Sequence, residues 1–267
     1  MTALTLDPIG YIEGCYPDKF GIPRQPGLAP SATAEIVLAH DYAQPDAIRG
    51  IEAYSHLWVT FLFHLSPTQW RPLVRPPRLG GNQKVGVFAS RSTHRPNRLG
   101  QSLVELISTD TNNGVRLQIR GHDLVNGTPV VDIKPYLPWA ESIPDVHADW
   151  APEPPPLLPV IFSEKAVQQL ARDKNALTLE PLIVEVLAQD PRPAYHRTPG
   201  STAETQQFQL QKNKAGAVKK QPDDGHQEGR IYGVRLVDKD IHFRAIMKGI
   251  TLTIEVVAIE NFSPNKE

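Results

Sequence analysis

Ser102-Leu103-Val104-Glu105-Leu106-Ile107-Ser108, Val115-Arg116-Leu117-Gln118-Ile119-Arg120-Gly121 and Pro129-Val130-Val131-Asp132-Ile133-Lys134 follow one another with only turn residues between them. Each is rich in β-formers, and none continues at helical spacing. Upstream, Thr33 to Leu38, Leu57 to His64 and Lys84 to Ala89 read the same way, with breaks at Gly80-Gly81, Arg95-Pro96-Asn97 and Asn126-Gly127. Many short strands without an intervening helical period predict a sandwich or closed barrel, not a doubly wound sheet. Closure also removes the exposed edges that a six-strand sheet would leave.

The texture changes after Pro152-Glu153-Pro154-Pro155-Pro156, a stiff linker of polyproline II type. Ser163 is placed to cap a helix to about Asp173, and Thr178 a second one. In the second helix Leu179, Leu182, Ile183, Val186 and Leu187 recur at helical spacing, and Pro181 falls in the first turn. Residues 201–229 are polar and nearly without large apolar groups, so an exposed, disordered insertion is expected. Ile231 to Val237, Ile241 to Met247 and Leu252 to Ile259 close the chain as strands. The expected fold is mainly β: a β-barrel domain at 1–150, a proline-rich linker at 151–160, and a smaller α+β domain at 161–267.

Composition bounds the function. The chain has 267 residues, 40% hydrophobic and 21% charged, as in ordinary globular proteins. Its 26 prolines are about double the usual share, which favours loops and edges over long helices. With one cysteine, Cys15, no intramolecular disulfide forms, and no zinc motif is present. No signal sequence is expected at Met1-Thr2-Ala3-Leu4, and the apolar run Leu57 to Leu65 is too short for a bilayer, so the expected location is the cytoplasm. Net charge is only −1, yet no acidic residue lies between Glu52 and Glu105, where Arg71, Arg75, Arg78, Lys84, Arg91, Arg95 and Arg98 all fall. That stretch makes a local positive field, and arginine's planar fork suits phosphate, carboxylate and stacked bases.

Several loops combine turn residues with functional polar groups. Arg91 to Gly100 presents guanidinium, hydroxyl and amide donors on a proline-held segment suited to an anion, although such a loop is also tied by its own Ser and Asn side chains. His56 and His64 share strand parity but stand roughly 25 Å apart in a straight strand, so they cannot ligate one ion. Gly121 to Pro129 ends in Asn126-Gly127, a strong hairpin signal. Asp190-Pro191-Arg192-Pro193-Ala194-Tyr195 holds an acid, a guanidinium and a phenol beyond a helix end; it distantly resembles the Asp/Asn-Pro-Pro-Tyr loop of adenine-N6 methyltransferases. There is no Gly-rich dinucleotide loop, nucleophile elbow or zinc helix. These residues alone stop at a basic β-barrel holding an anionic small molecule or RNA.

Taken together, Pro23-Arg24-Gln25-Pro26-Gly27, Arg75 to Asn82, Gly86 to Thr93, Arg95-Pro96-Asn97, Asp123-Leu124-Val125 and Gly127 to Tyr136 closely resemble the TrmO family, also called TsaA-like or YaeB-like. Asp190 to Tyr195 is similar to its second-domain motif. The resemblance runs from about Ile9 to Ile259 apart from the polar insertion. It implies a β-barrel methyltransferase fold rather than a Rossmann one, usually homodimeric. It also implies S-adenosylmethionine as donor, and as acceptor a tRNA carrying N6-threonylcarbamoyladenosine beside the anticodon, chiefly threonine tRNA.

Carried onto this sequence, the resemblance assigns donor contacts to Gln25, Pro26, Gly27, His64, Leu65, Arg91, Gln101, Asp123, Leu124, Val125 and Asn126. Asp190 is then the expected acceptor for the reacting N–H, Tyr195 the stacking or relay group, and Arg192 the partner of the threonyl carboxylate. Arg71, Arg75, Arg78, Arg95 and Arg98 are expected to face RNA, and no metal is expected. A non-catalytic tRNA-binding module and a hydrolase of anionic small molecules are the alternatives. The second would need a metal or an activated nucleophile that the sequence does not offer.

Overall fold

The computed structural model describes residues 5–79, 83–193 and 229–262. Its elements are β1 (Gly10–Gly14), β2 (Thr33–Leu38), β3 (His56–Leu62), β4 (Leu73–Val74), β5 (Val85–Gly86), β6 (Leu99–Asp110), β7 (Arg116–Arg120), β8 (Pro129–Pro135), α1 (Pro138–Glu141), β9 (Val160–Phe162), α2 (Glu164–Ala171), α3 (Ala176–Ala188), β10 (Tyr232–Leu236), β11 (Lys239–Lys248) and β12 (Thr251–Asn261). Among the described residues no helix is long and apolar enough to cross a membrane.

The expected barrel forms. Six strands close in the order β1-β2-β7-β6-β3-β8, every neighbouring pair antiparallel. Alternation supplies its core: Ile12, Ile36, Leu57, Val59, Val104, Leu117, Ile119 and Val130 are all buried together, while Arg116, Gln118 and Arg120 between them face outward. Antiparallel closure has a second consequence. Strand ends alternate around the barrel, so the loops 15–32, 63–98 and 121–128 all emerge at one mouth.

Four local expectations change. The run from Lys84 to Ala89 is a two-residue strand followed by a 3-10 turn at Val87–Ala89, and β3 ends at Leu62, leaving His64 in a loop. Asn126-Gly127 does not close a tight hairpin, because β7 and β8 are not neighbours. Loop 121–128 instead crosses the mouth over the ends of β1 and β2, where Gly121 N–H donates to Ala32 (2.8 Å), Asn126 N–H to Tyr16 (2.8 Å) and Gly127 N–H to Ile12 (2.7 Å). Finally, α3 starts two residues before Thr178 with Asn175 as its cap, so Pro181 lies inside the helix. The hydrogen bond that Pro181 cannot make would go to Leu177, which is 93% exposed, so water reaches that turn.

The second sheet runs β10-β11-β12-β9, with β9 parallel to β12 and α2 and α3 packed on it. Ser163 caps α2 as expected, its side chain accepting from Ala166 N–H at 3.2 Å. Its core holds Leu170, Leu182, Ile183, Val234, Phe243 and Val256, and it also takes in Cys15, Tyr16, Ala29 and Ala32 from the barrel's 15–32 loop. That loop leaves β1 and enters β2 but packs into the second core, and it is what holds the sheet against the mouth.

Candidate functional site

At the mouth, Gly27 (φ 79°) and Gly121 (φ 69°) face one another, with Gly27 N–H donating to the Gly121 carbonyl at 2.7 Å. Both need the left-handed region that glycine enters without cost. The next residue, His122, is fully buried. Its Nδ1 accepts from Leu124 N–H at 3.2 Å, so Nε2 carries the proton and donates to the Thr33 carbonyl at 3.2 Å. Burial pushes this imidazole down to about 4, keeping it neutral. Leu124 plugs the barrel core, and Asn126 Oδ1 accepts from Gly14 N–H at 3.0 Å. The crossing loop is thus pinned at both ends and its middle.

Asp123 is held between these anchors. Ser102 Oγ on β6 donates to its Oδ1 at 2.5 Å. Desolvation by burial pushes its carboxyl up to about 6, against the opposing pull of the Ser102 hydrogen bond and the Arg91 charge. At neutral pH it is an anion whose neutralisation costs little, the character wanted of a group that meets an ammonium. Gln25 offers a second signal: its Oε1 is buried without a hydrogen-bond partner, while its amide nitrogen donates to the Arg24 carbonyl. A buried acceptor left open in this way fits a ligand donor. Pro26, Gly27 and Gly121 line an open groove of about 360 Å³ with His56, Leu103, Glu105 and Arg120.

The structure brings the expected donor residues to this one end. His64 is half-buried and its imidazole is pushed below its usual range by burial. The Leu65 carbonyl accepts from Lys19 Nζ at 2.8 Å, which ties loop 63–98 to loop 15–32. Gln101 stands exposed near the start of β6, and Arg91 acts on Asp123 through its charge. The arginines divide. Arg71, Arg75 and Arg91 are exposed, whereas Arg78, Arg95 and Arg98 are half-buried. Arg95 ties its own loop, donating to the carbonyls of Val87 (3.3 Å) and Ser90 (2.8 Å). Arg78 reaches the Glu153 carbonyl.

Beyond α3, Asp190 adopts φ 49° and its N–H donates to the Leu187 carbonyl at 3.0 Å. The Arg192 fork closes on its carboxylate, Nε to Oδ1 at 2.7 Å and Nη2 to Oδ2 at 2.9 Å, with the two residues 8% and 5% exposed. Arg192 therefore meets a carboxylate of its own chain. Next to this pair, Gln189 Nε2 donates to the Leu28 carbonyl at 3.1 Å, which sets the end of α3 beside the Gln25-Pro26-Gly27 segment. Tyr195 and residues 201–228 of the polar insertion lie outside the described residues. His122, Ser102 and Gln189 were not singled out from sequence; each matters through a partner far along the chain. Among the described residues, no group of three or more His, Cys, Asp or Glu is placed to hold a metal ion.

Residues 11–142 match the family model of the tRNA-methyltransferase O N-terminal domain, and residues 155–211 that of the TrmO C-terminal domain. The chain is 44% identical over 264 residues to the tRNA (adenine(37)-N6)-methyltransferase of Escherichia coli K12, covering 97% of this chain and 99% of that one. A 34% match over 140 residues links it to a probable S-adenosyl-L-methionine-binding protein of Methanothermobacter thermautotrophicus, covering 52% of this chain and 95% of that protein. The crystal structure of TrmO from Pseudomonas aeruginosa superposes with a TM-score of 0.72 at 35% identity, covering 97% of this chain and 99% of that one. With both family domains matched and the fold shared along nearly the whole chain, the chain belongs to the tRNA-methyltransferase O family.

Proposed function

We propose that this chain transfers a methyl group from S-adenosylmethionine to N6 of the adenosine at position 37 of tRNA, beside the anticodon. Its acceptor is the N6-threonylcarbamoylated form, chiefly in threonine tRNA. The observation that carries the reading is the convergence of loops 15–32, 63–98 and 121–128 on one mouth, next to the α3 end that bears Asp190 and Arg192. We assign the donor to Gln25, Pro26, Gly27, His64, Leu65, Arg91, Gln101 and the segment from Asp123 to Asn126. Asp123 would meet the donor's amine and the open Gln25 Oε1 one of its N–H groups. When bound, the donor supplies an electrophilic methyl on a sulfonium sulfur.

The acceptor nitrogen is attached to a carbonyl, so its lone pair is delocalised and its N–H must be held or removed. Asp190 accepts that proton or its hydrogen bond. The Arg192 fork orients that carboxylate. We assign the threonyl carboxylate to Arg192 and stacking on the base to Tyr195. The working units are 1–150 and 161–267, joined by 151–160, in a homodimer in the cytoplasm.

Asp190→Ala is expected to abolish methylation, read by mass spectrometry of tRNA nucleosides, with donor affinity retained in calorimetry. Turnover near normal would remove Asp190 from the chemistry. Wild-type protein that is folded but has no affinity for S-adenosylmethionine would overturn the whole reading in favour of a non-catalytic module.

A further inference from the structure

Loop 63–98 carries an aromatic ring that the folded chain leaves uncovered. Phe88 is 73% exposed, yet its backbone is rigidly placed. It is the middle residue of the 3-10 turn Val87–Ala89, whose first residue, Val87, is buried and donates its N–H to the Pro72 carbonyl at 2.9 Å. Ser90 closes the turn, its Oγ donating to the Val87 carbonyl at 2.9 Å. From behind, the Arg95 guanidinium lies 5.8 Å from the ring centroid while donating to two carbonyls of the same turn. A large apolar side chain held out into water by this many bonds has lost its freedom before any partner arrives.

Its surroundings say what the partner is. The β4–β5 ribbon pairs Leu73 with Gly86, and the Val87 N–H bond to the Pro72 carbonyl extends the pairing by one residue, to the positions that adjoin Arg71 and Phe88. Arg71, Arg75 and Arg91 are exposed on the same loop, and the chain has no acidic residue between Glu52 and Glu105. An exposed aromatic ring on a loop with exposed arginines and no acidic residue of its own fits a nucleic acid strand: the ring takes a base and the cations take the flanking phosphates.

We propose that Phe88 is a stacking platform for an unpaired base of the tRNA loop, with Arg71 and Arg75 on the adjoining phosphates. This names a docking surface for the acceptor and rests on the proposed function. Because the ring is exposed, Phe88→Ala leaves the fold intact. It is expected to raise the KM for tRNA about tenfold, the usual worth of one base–aromatic stack, with melting temperature, donor affinity and kcat at saturating tRNA unchanged. Phe88→Tyr restores wild-type KM. An unchanged KM overturns the proposal, as does a parallel loss of donor affinity. So does dissociation of a dimer by Phe88→Ala in sedimentation, since the ring would then be covered by a second copy. Fluorescence anisotropy with labelled tRNA separates the two levels. Wild type that binds tRNA through Phe88 but transfers no methyl sinks only the catalytic reading; wild type that methylates without dependence on Phe88 sinks only this one. Wild type without tRNA affinity sinks both.

Discussion

His122 has no exposed surface and spends both ring nitrogens on backbone groups, Leu124 N–H and the Thr33 carbonyl. In the unfolded chain an imidazole titrates near 6.5, against about 4 here. Between those values the unfolded chain holds a proton that the folded one refuses, so this group's contribution is lost as pH falls from 6.5 to 4, about 3 kcal/mol in full. Asp123 next to it works in the opposite sense. Its folded value of about 6 exceeds the ordinary 3.8, so its contribution is lost as pH rises through 6. The two nearly offset from pH 4 to 6. His122→Gln removes one side of the balance: the variant's deficit against wild type, read from urea midpoints at pH 6.5, 5 and 4, should shrink as pH falls. A deficit independent of pH would show that His122 is not neutral in the fold. Asp123 to Asn126 was legible in sequence because the whole string is a motif. His122 and Ser102 were not, because their meaning comes from Thr33, 89 residues away, and from Asp123, 21 residues away.

At the scale of elements, strands were legible and connections were not. Thr33–Leu38 has the bounds expected of it, since alternation is a property of the segment itself. Asn126-Gly127 misleads because the same φ > 0 requirement arises at Gly127 in a loop crossing the mouth, and only barrel order distinguishes the two. β4 and β9 escaped notice for want of length, with two and three residues, and β1 because glycines stand at both its ends. The loop that matters most, 15–32, shows its function through Gly21. There φ is 86°, and an added Cβ would stand 2.1 Å from Val234 Cγ2 on β10. Gly21→Ala thus combines backbone strain with a clash against a buried β-branched side chain, and should cost about 2 kcal/mol or more. Val234→Ala made with it should recover part of that loss, giving a coupling that a denaturation double-mutant cycle reads directly. Strict additivity would mean that the loop and β10 do not touch in solution.

For the whole molecule, the barrel's 15–32 loop packs into the core of the four-stranded sheet, so neither unit is expected to unfold without the other. Tyr16 and Ala32 pack with Ile183 and Phe243. Three polar ties cross the same junction: Ser31 Oγ to Glu185 Oε1 at 2.9 Å, Gln189 to the Leu28 carbonyl at 3.1 Å, and Val237 N–H to the Cys15 carbonyl at 2.8 Å. The sequence supplies separate reporters. All four tryptophans, Trp58, Trp70, Trp139 and Trp150, precede the proline-rich linker, while the long helices α2 and α3 follow it. Tryptophan fluorescence therefore follows the barrel side, and ellipticity at about 222 nm is weighted towards the sheet with its helices, the helical chromophore dominating that signal. The two curves should coincide in urea. Ile183→Ala, which empties a fully buried position on α3, should destabilise by about 2–5 kcal/mol. It should move the fluorescence midpoint as far as the ellipticity midpoint, although no tryptophan lies on its side of the linker. A fluorescence transition that stays in place while ellipticity falls early would mean that loop 15–32 does not couple the two cores, and the mouth would then have to hold its shape without the α3 end beside it.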